Sequence, residues 1–306
     1  MTVNKGVNQT PVLTIDQAGT VVNGLASGWL TISIGTTRFN KASSSFTLIN
    51  SGATTFSIPA TACLSVATGT VNVTTSTNNG SDLLLTGKLQ VSGGSVNIGT
   101  AGTTFNNDIE YASAGNPVLE VSGGSLYVNG AVRRSVGTIS GGLAYNQSGG
   151  TVTIGGQNTT ANNTRGVFEI DYNLGSNFTM SGTSLLQVLR PNGGSNYADL
   201  YINPISASVA STSTIEMGQN TTAQSFSYNV KPTLGNFTVI GGSGVQTVTL
   251  YSNPMVITGN LSINNGATLN TNTLDVTLAG NMTINGTYNG SENTTTFNGS
   301  APQSAA

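Results

Sequence analysis

Histidine is absent from this 306-residue chain, which also has one cysteine, one tryptophan and only 9 basic and 11 acidic side chains. Each shortage closes a class of chemistry. Without His there is no Ser-His-Asp triad, no imidazole base and no His-ligated metal. A single Cys excludes disulfides within the chain, thiolate zinc sites and Cys-ligated clusters. That residue, Cys63 in IPATACLSV, reads as a small apolar core side chain. Charged residues make up 7%, against roughly 25% in an ordinary soluble domain. A net charge of −2 without a basic cluster argues against nucleic acid as a partner. Long apolar runs are missing too. Leu83-Leu84-Leu85 and Leu185-Leu186 fall far short of the ~20 residues that span a bilayer, so no membrane insertion is expected. The opening MTVNKGVNQT lacks a basic region followed by an apolar run, so a secretory signal is absent or already removed.

What remains is Gly (40 residues), Ser, Thr and Asn, with 37% hydrophobic residues. Such a composition suits a flexible linker, but the apolar residues are spaced. LTISIG (30–35), VNVTT (71–75), SVNIG (95–99), LYVNG (126–130), TVTIGG (151–156) and NLSIN (260–264) alternate apolar and polar positions between Gly, Asn and Ser boundaries. That is the pattern of half-buried strands. No helical stripe is visible, and the Gly and β-branched content opposes one.

The strands repeat. LQVSGGSVNIG begins at Leu89, LEVSGGSLYVNG at Leu119, YNQSGGTVTIGG at Tyr145 and a weaker FTMSGTSLLQV at Phe178, so the copies start 30, 26 and 33 residues apart. Each has two large residues two apart, a Ser-Gly corner, then two more apolar residues two apart. This places both pairs on one face of two short strands. GNLSIN (259–264) recurs as GNMTIN (280–285). Units this short cannot bury a core alone and must stack. The expected fold is all-β: a right-handed parallel β-solenoid with two or three strands per coil and irregular corner loops at 155–165 and 191–197. A β-sandwich array, whose domains run to ~100 residues, is the competing architecture. Residues 1–60 are expected to form an N-terminal β region, a cap or the first coils, and residues 61–306 the solenoid repeats. Outward Thr, Ser and Asn would hydrogen-bond along rows ~4.8 Å apart, where repeated like charges would repel.

Paired carboxylates are the one enzymatic feature. Glu169 and Asp171 alternate with Phe168, Ile170 and Tyr172, so both are expected to face outward on one strand. Asp108-Ile109-Glu110-Tyr111 looks like an earlier copy, one unit back, and Arg133, Arg134 and Arg165 lie nearby. Their spacing is near that of two-carboxylate glycoside cleavage, but the plainer reading is a solvated surface or ion pair. Arg133-Arg134 and Arg190-Pro191-Asn192 read as corners or loop anchors. The Gly-Gly-Ser-Gly at 241–244 lacks the Asp of a calcium nonapeptide. Tyr127 and Tyr201 are candidate exposed rings for stacking on sugars, and Asn72, Asn158, Asn177, Asn236, Asn260 and Asn281 head Asn-x-Ser/Thr triplets. No catalytic, cofactor-binding or metal-binding residue is assigned.

The stretch VITGNLSINNGATLNTNTLDVTLAGNMTINGTYNGSENTTTFNGSAPQS, with the LEVSGGSLYVNG units and LRPNGGSNYADLYIN (189–203), resembles repeats of very large cell-surface adhesins of the Bacteroidetes exported by type IX secretion, including SprB-like gliding adhesins. The resemblance is clearest over 89–306. It implies an extracellular stalk or filament for surface attachment or gliding, with repeats continuing beyond APQSAA. The implied partners are polysaccharide or solid surfaces and the secretion or cell-surface machinery of the same cell. It carries no catalytic residues and no cofactor. The alternatives are a polysaccharide lyase or hydrolase using Glu169 and Asp171, or a phage-type fibre.

Overall fold

A computed structural model describes residues 1–21, 28–49, 55–74, 83–112, 115–135, 141–157, 165–191 and 197–306. Among them there is no helix. Strands pair in parallel and in register, coil on coil, in a β-solenoid of about nine turns. A central coil has three strands. In one coil they are Lys88–Val91, Ser95–Ile98 and Ile109–Tyr111; in the next, Val118–Val121, Ser125–Val128 and Val132–Arg134. The first two strands of each coil build the two arms of an 18-stranded sheet, and the third strands build a 10-stranded sheet.

The repeat copies of the sequence are the rungs. Leu89, Leu119, Tyr145 and Phe178 lie in direct register, as do Leu261 and Met282 of the two C-terminal copies. Alternation sends every second residue inward, and Val91, Val121 and Ile154 are fully buried. Tyr145 and Phe178 stack with ring centroids 5.4 Å apart, and Phe168 meets Tyr145 edge-on at 5.1 Å. Gln147 occupies an inward position and is fully buried. Its Oε1 accepts the Tyr145 hydroxyl at 2.7 Å and its Nε2 donates to Leu185 O at 2.9 Å, which removes the cost of a buried amide.

The Ser-Gly-Gly corner has a steric cause. Gly124 has φ +67°, and a Cβ there would fall 2.0 Å from the Gly94 carbonyl oxygen of the preceding coil. Only glycine lets the corners nest.

The two ends differ from the middle. At the N-terminal side, a 19-residue strand, Thr31–Ile49, runs through both arms. It carries Thr2–Asn4, Val12–Ile15 and Gly19–Val21 on one side and Ala62–Val73 on the other. Toward the C-terminus the coils shorten: Phe237, Leu261 and Met282 are equivalent at steps of 24 and 21 residues. A separate three-stranded sheet, Met255–Ile257, Val276–Leu278 and Thr295–Phe297, forms there. Leu234 bridges to it at Ile257, just after Pro232, which has no N–H to give to a ladder.

Candidate functional site

The sequence candidates converge on the outer face of the 10-stranded sheet, but not as a solvated pair of acids. Glu110 stands opposite Arg133, and Val132 opposite Phe168. Past Val132 the pairing with the next coil lapses, and the consecutive Arg133 and Arg134 both reach carboxylates of the same face. Arg133 pairs with Asp108, and its Nε lies 3.6 Å from Glu110 Oε1. Arg134 pairs with Glu169 through Nε and with Asp171 Oδ2 at 2.9 Å through Nη1. Arg165, from the next corner, donates from Nη1 to Glu110 Oε1 at 2.8 Å and to the carbonyls of Arg134 and Ser135. Seven of the chain's 20 charged side chains thus gather on one face in two ion-pair clusters, Asp108–Arg133–Glu110–Arg165 and Glu169–Arg134–Asp171, which Arg165 links through the Arg134 carbonyl, with four carboxylates to three guanidinium groups.

Three expectations are corrected here. Glu169 faces away from the apolar interior but is fully buried, because the corner folds back over it and Gly166 N donates to its Oε2 at 2.6 Å. Arg133 and Arg134 are buried network members at 4% and 3% exposure, and not corner anchors. The copy at 108–111 lies two coils before 169–172, and the register sets Ile109, through Val132, against Phe168, two residues off the apparent match.

The electrostatics follow from burial. Burial pushes the Asp108, Glu110 and Glu169 carboxyls up, and the neighbouring arginines offset part of that rise. Burial opposes charge on Arg134 as well, yet Glu169 beside it raises its pKa, so it stays ionised. The Arg134 guanidinium also lies 4.6 Å from the centre of the Tyr197 ring. Tyr111 OH donates to the Glu169 carbonyl at 2.9 Å, and Tyr201 OH to Asp171 Oδ1 at 3.1 Å. Each of these four carboxylates is therefore held by an arginine.

The other candidates are scattered. Cys63 is buried, but in an outer row between Thr36 and Lys88 and not within the apolar ladder; burial raises its thiol pKa. Arg190 anchors a corner by donating to Gly155 O at 3.1 Å. Asn158, Asn192 and most of the predicted corner loops lie outside the described residues. Tyr127 and Tyr201 are half-buried rather than exposed.

Sequence reasoning missed the individual outward rows, although the aligned copies contain them as the residue between each apolar pair. One row on the 18-stranded sheet runs Arg38, Ser65, Gln90, Glu120, Asn146, Thr179, Ser208. The other runs Thr47, Asn72, Asn97, Tyr127, Thr153, Gln187, Glu216, Thr238, Ser262, Thr283. A hydroxyl–amide–carboxylate chain occurs in both. Ser65 Oγ donates to Gln90 Oε1 at 2.9 Å and Gln90 Nε2 to Glu120 at 2.7 Å. Thr153 Oγ1 donates to Gln187 at 2.9 Å and Gln187 Nε2 to Glu216 at 2.8 Å. Hydrogen bonds from Lys88 and Gln90 hold Glu120 below its ordinary value despite partial desolvation. At the upper end of the second row a groove of about 440 Å³ opens, floored by Thr47, Asn72 and Asn97.

Fold and site together define a parallel β-solenoid with a buried ion network on one face and hydrogen-bonded polar rows on another. No family model matches the chain, and no curated protein or solved structure is significantly similar to it.

Proposed function

We propose that the chain is a non-catalytic spacer and attachment segment of an extracellular surface adhesin, working as a stiff stalk. The carrying observation is the parallel coil-on-coil pairing around one apolar interior, from Val3 to Met282. Backbone pairing joins each coil to its neighbours, with side chains such as Arg165 and Tyr111 reaching one coil further, so a load must break rungs in succession. The buried ion pairs support a mechanical role, because Arg134 of one coil ties down Glu169 and Asp171 of the next. The repeat residues' resemblance to gliding-type adhesins supplies the extracellular setting and the implied partners, polysaccharide or solid surfaces.

The test is to tether the chain by its ends and extend it. Unfolding in successive small releases, each matching the contour length of one coil, is the expected result. A single collapse at low force would remove the stalk reading. In parallel, pectin, alginate and neutral glucans are incubated with the protein. New chain ends or unsaturated products, lost in Glu169→Gln, would replace the proposal with an enzyme.

A further inference from the structure

We infer that the groove at Thr47, Asn72, Asn97 and Tyr127 is a binding site for a neutral, extended polysaccharide. The inference deepens the attachment half of the reading above and rests on it only for biological meaning; the site itself rests on geometry. Its floor is one outward row: Thr47 stands opposite Asn72, Asn72 opposite Asn97, and Asn97 opposite Tyr127. Successive floor positions are therefore ~4.8 Å apart, the strand spacing of a sheet, which is close to the rise of one sugar in an extended β-linked chain. The groove holds about 440 Å³, room for a few sugar rings but not for a folded partner.

The lining selects the ligand's chemistry. Among the described residues the groove is lined by hydroxyls, amides, small residues and one phenol, with no ionised side chain. An anionic polymer would need Arg or Lys to replace its hydration, and a cation would need carboxylates. An apolar ligand would strip water from the amides without returning hydrogen bonds. A neutral chain dense in hydroxyls satisfies both amides and threonines.

The groove is also pre-shaped. Asn97 Nδ2 donates to Asn72 Oδ1 at 2.8 Å, which orients both amides; among the described residues no donor reaches Asn97 Oδ1, leaving it to accept from a ligand. Tyr127 closes one end, and its hydroxyl donates to Asn129 Oδ1 at 2.9 Å. Asn129 is fully buried and donates to Phe105 O at 2.6 Å, so the ring is held from behind. The same Phe105 contact ties down the segment whose Thr100 and Ala101 form the opposite wall, and Gly99, at φ +81°, turns that segment away from the sheet. An aromatic ring at the end of a polar trough gives a sugar one apolar face to pack on. In so small and open a groove affinity per site is low, about 0.1–1 mM, and useful attachment comes from many copies acting together.

The experiment is affinity electrophoresis of the full chain through gels containing hydroxyethylcellulose, glucomannan or polygalacturonate. The expected result is retardation by at least one of the two neutral polymers and none by polygalacturonate. Asn97→Ala and Tyr127→Ala should each weaken it about tenfold, Tyr127→Phe should retain most of it, and Thr283→Ala, in the same row but far along the stack, should leave it unchanged. Ala101→Leu narrows the groove from an exposed wall without touching a rung, which covers the case where Tyr127→Ala misfolds. The site is overturned if neither neutral polymer retards the chain, if polygalacturonate retards it equally, or if folded Ala101→Leu and Asn97→Ala bind like the parent. Stepwise extension with no glycan binding would sink the groove and spare the stalk, and binding without stepwise extension would do the reverse.

Discussion

The central coils, roughly 83–203, and the C-terminal coils, roughly 214–297, use the same frame for different chemistry. In the central coils the copies start 30, 26 and 33 residues apart, while the C-terminal steps are 24 and 21. The central strands, of 3–4 residues, are no longer than those further on, of 3–7, so the extra residues sit in corners. The outer face of the 10-stranded sheet changes with them. Centrally it holds Glu110, Arg133 and Glu169; further on come Asn229 and the run Ser227, Thr249, Asn270, Asn289. A longer corner can fold back and exclude water, as Gly166 does at Glu169 and Arg165 at Glu110. Burial then demands partners, and the arginines of the preceding coil supply them. Short corners leave the face open, where neutral side chains hydrogen-bonded to neighbouring coils suffice.

The largest expected effect separates a stack from a globule. Val121→Asp puts an unpaired carboxylate into the central interior and should cost upwards of about 4 kcal/mol, read as loss of cooperative unfolding in urea. Ile263→Asp makes the same insult near the C-terminal side, and by nearest-neighbour stacking it should fray only the coils beside it. Hydrogen exchange distinguishes the two. If Ile263→Asp unprotects Leu119 and Val152 as fully as Val121→Asp does, the coils are not the independent units inferred from the ladder.

The ion network comes next. Arg134→Met leaves Glu169 and Asp171 without their shared partner and should cost about 3–5 kcal/mol. Asn229→Ala, on the same sheet face among neutral residues, removes one acceptor for Asn253 and should cost about 1 kcal/mol. Adding Glu169→Leu to Arg134→Met should recover much of the loss, since an apolar replacement of a buried pair is nearly neutral. A double variant no better than the single one would show that Glu169 matters through contacts other than its charge.

The frame was legible in the sequence because alternation and the Ser-Gly-Gly corner are local signals. Leu89, Leu119, Tyr145 and Phe178 could be aligned by eye, and the ladder has them in register. Outward direction was legible as well, yet solvent exposure was not. Alternation says that Glu169 leaves the interior, and only the fold says what lies over it. The ion pairs were hidden for a second reason: Asp108, Arg133 and Glu169 are 25 and 36 residues apart in the chain, and a lapse in pairing after Val132, which no local pattern announces, lets Arg134 reach Glu169. The Asn97 groove depends on a corner segment returning beside the sheet, again a matter of tertiary path.

Acidification should reveal the same contrast at smaller scale. Folded Asp108, Glu110 and Glu169 have pKa values above their ordinary 3.8 and 4.5, so the folded chain binds protons more tightly than the unfolded one. Their contribution to stability is largest in acid and falls as pH rises from about those ordinary values through the raised ones, by at most about 1.4 kcal/mol per pH unit for one proton. Glu120, held below its ordinary value, acts oppositely and loses its contribution only as pH falls below 4.5. Protection of the Ile109–Tyr111 amides against exchange should therefore fall as pH rises above about 4.5, after correction for intrinsic rates, and Glu110→Gln should flatten the slope. A slope of opposite sign would mean that the arginines outweigh burial.

The smallest effect tests what replaces charge in the C-terminal coils. Asn236 Oδ1 accepts the Asn260 N–H at 2.8 Å, Asn260 Oδ1 accepts the Asn281 N–H at 2.8 Å, and Asn281 Oδ1 accepts the Ser304 N–H at 3.0 Å. These asparagines also head Asn-x-Ser/Thr triplets, but the ladder gives each a structural reason to be Asn: its amide oxygen reaches the next coil's strand entry. Asn260→Ala removes the middle link at an exposed corner, where water takes over the freed N–H, so the cost should be about 0.5–1 kcal/mol. Asn260→Asp keeps an acceptor and should cost less. Chemical denaturation of the two variants, with exchange at the Asn281 amide, measures both. Equal destabilisation by Asp and Ala would show that the side-chain oxygen is not what links the coils, and the neutral rows would then owe their cohesion to the backbone ladder alone.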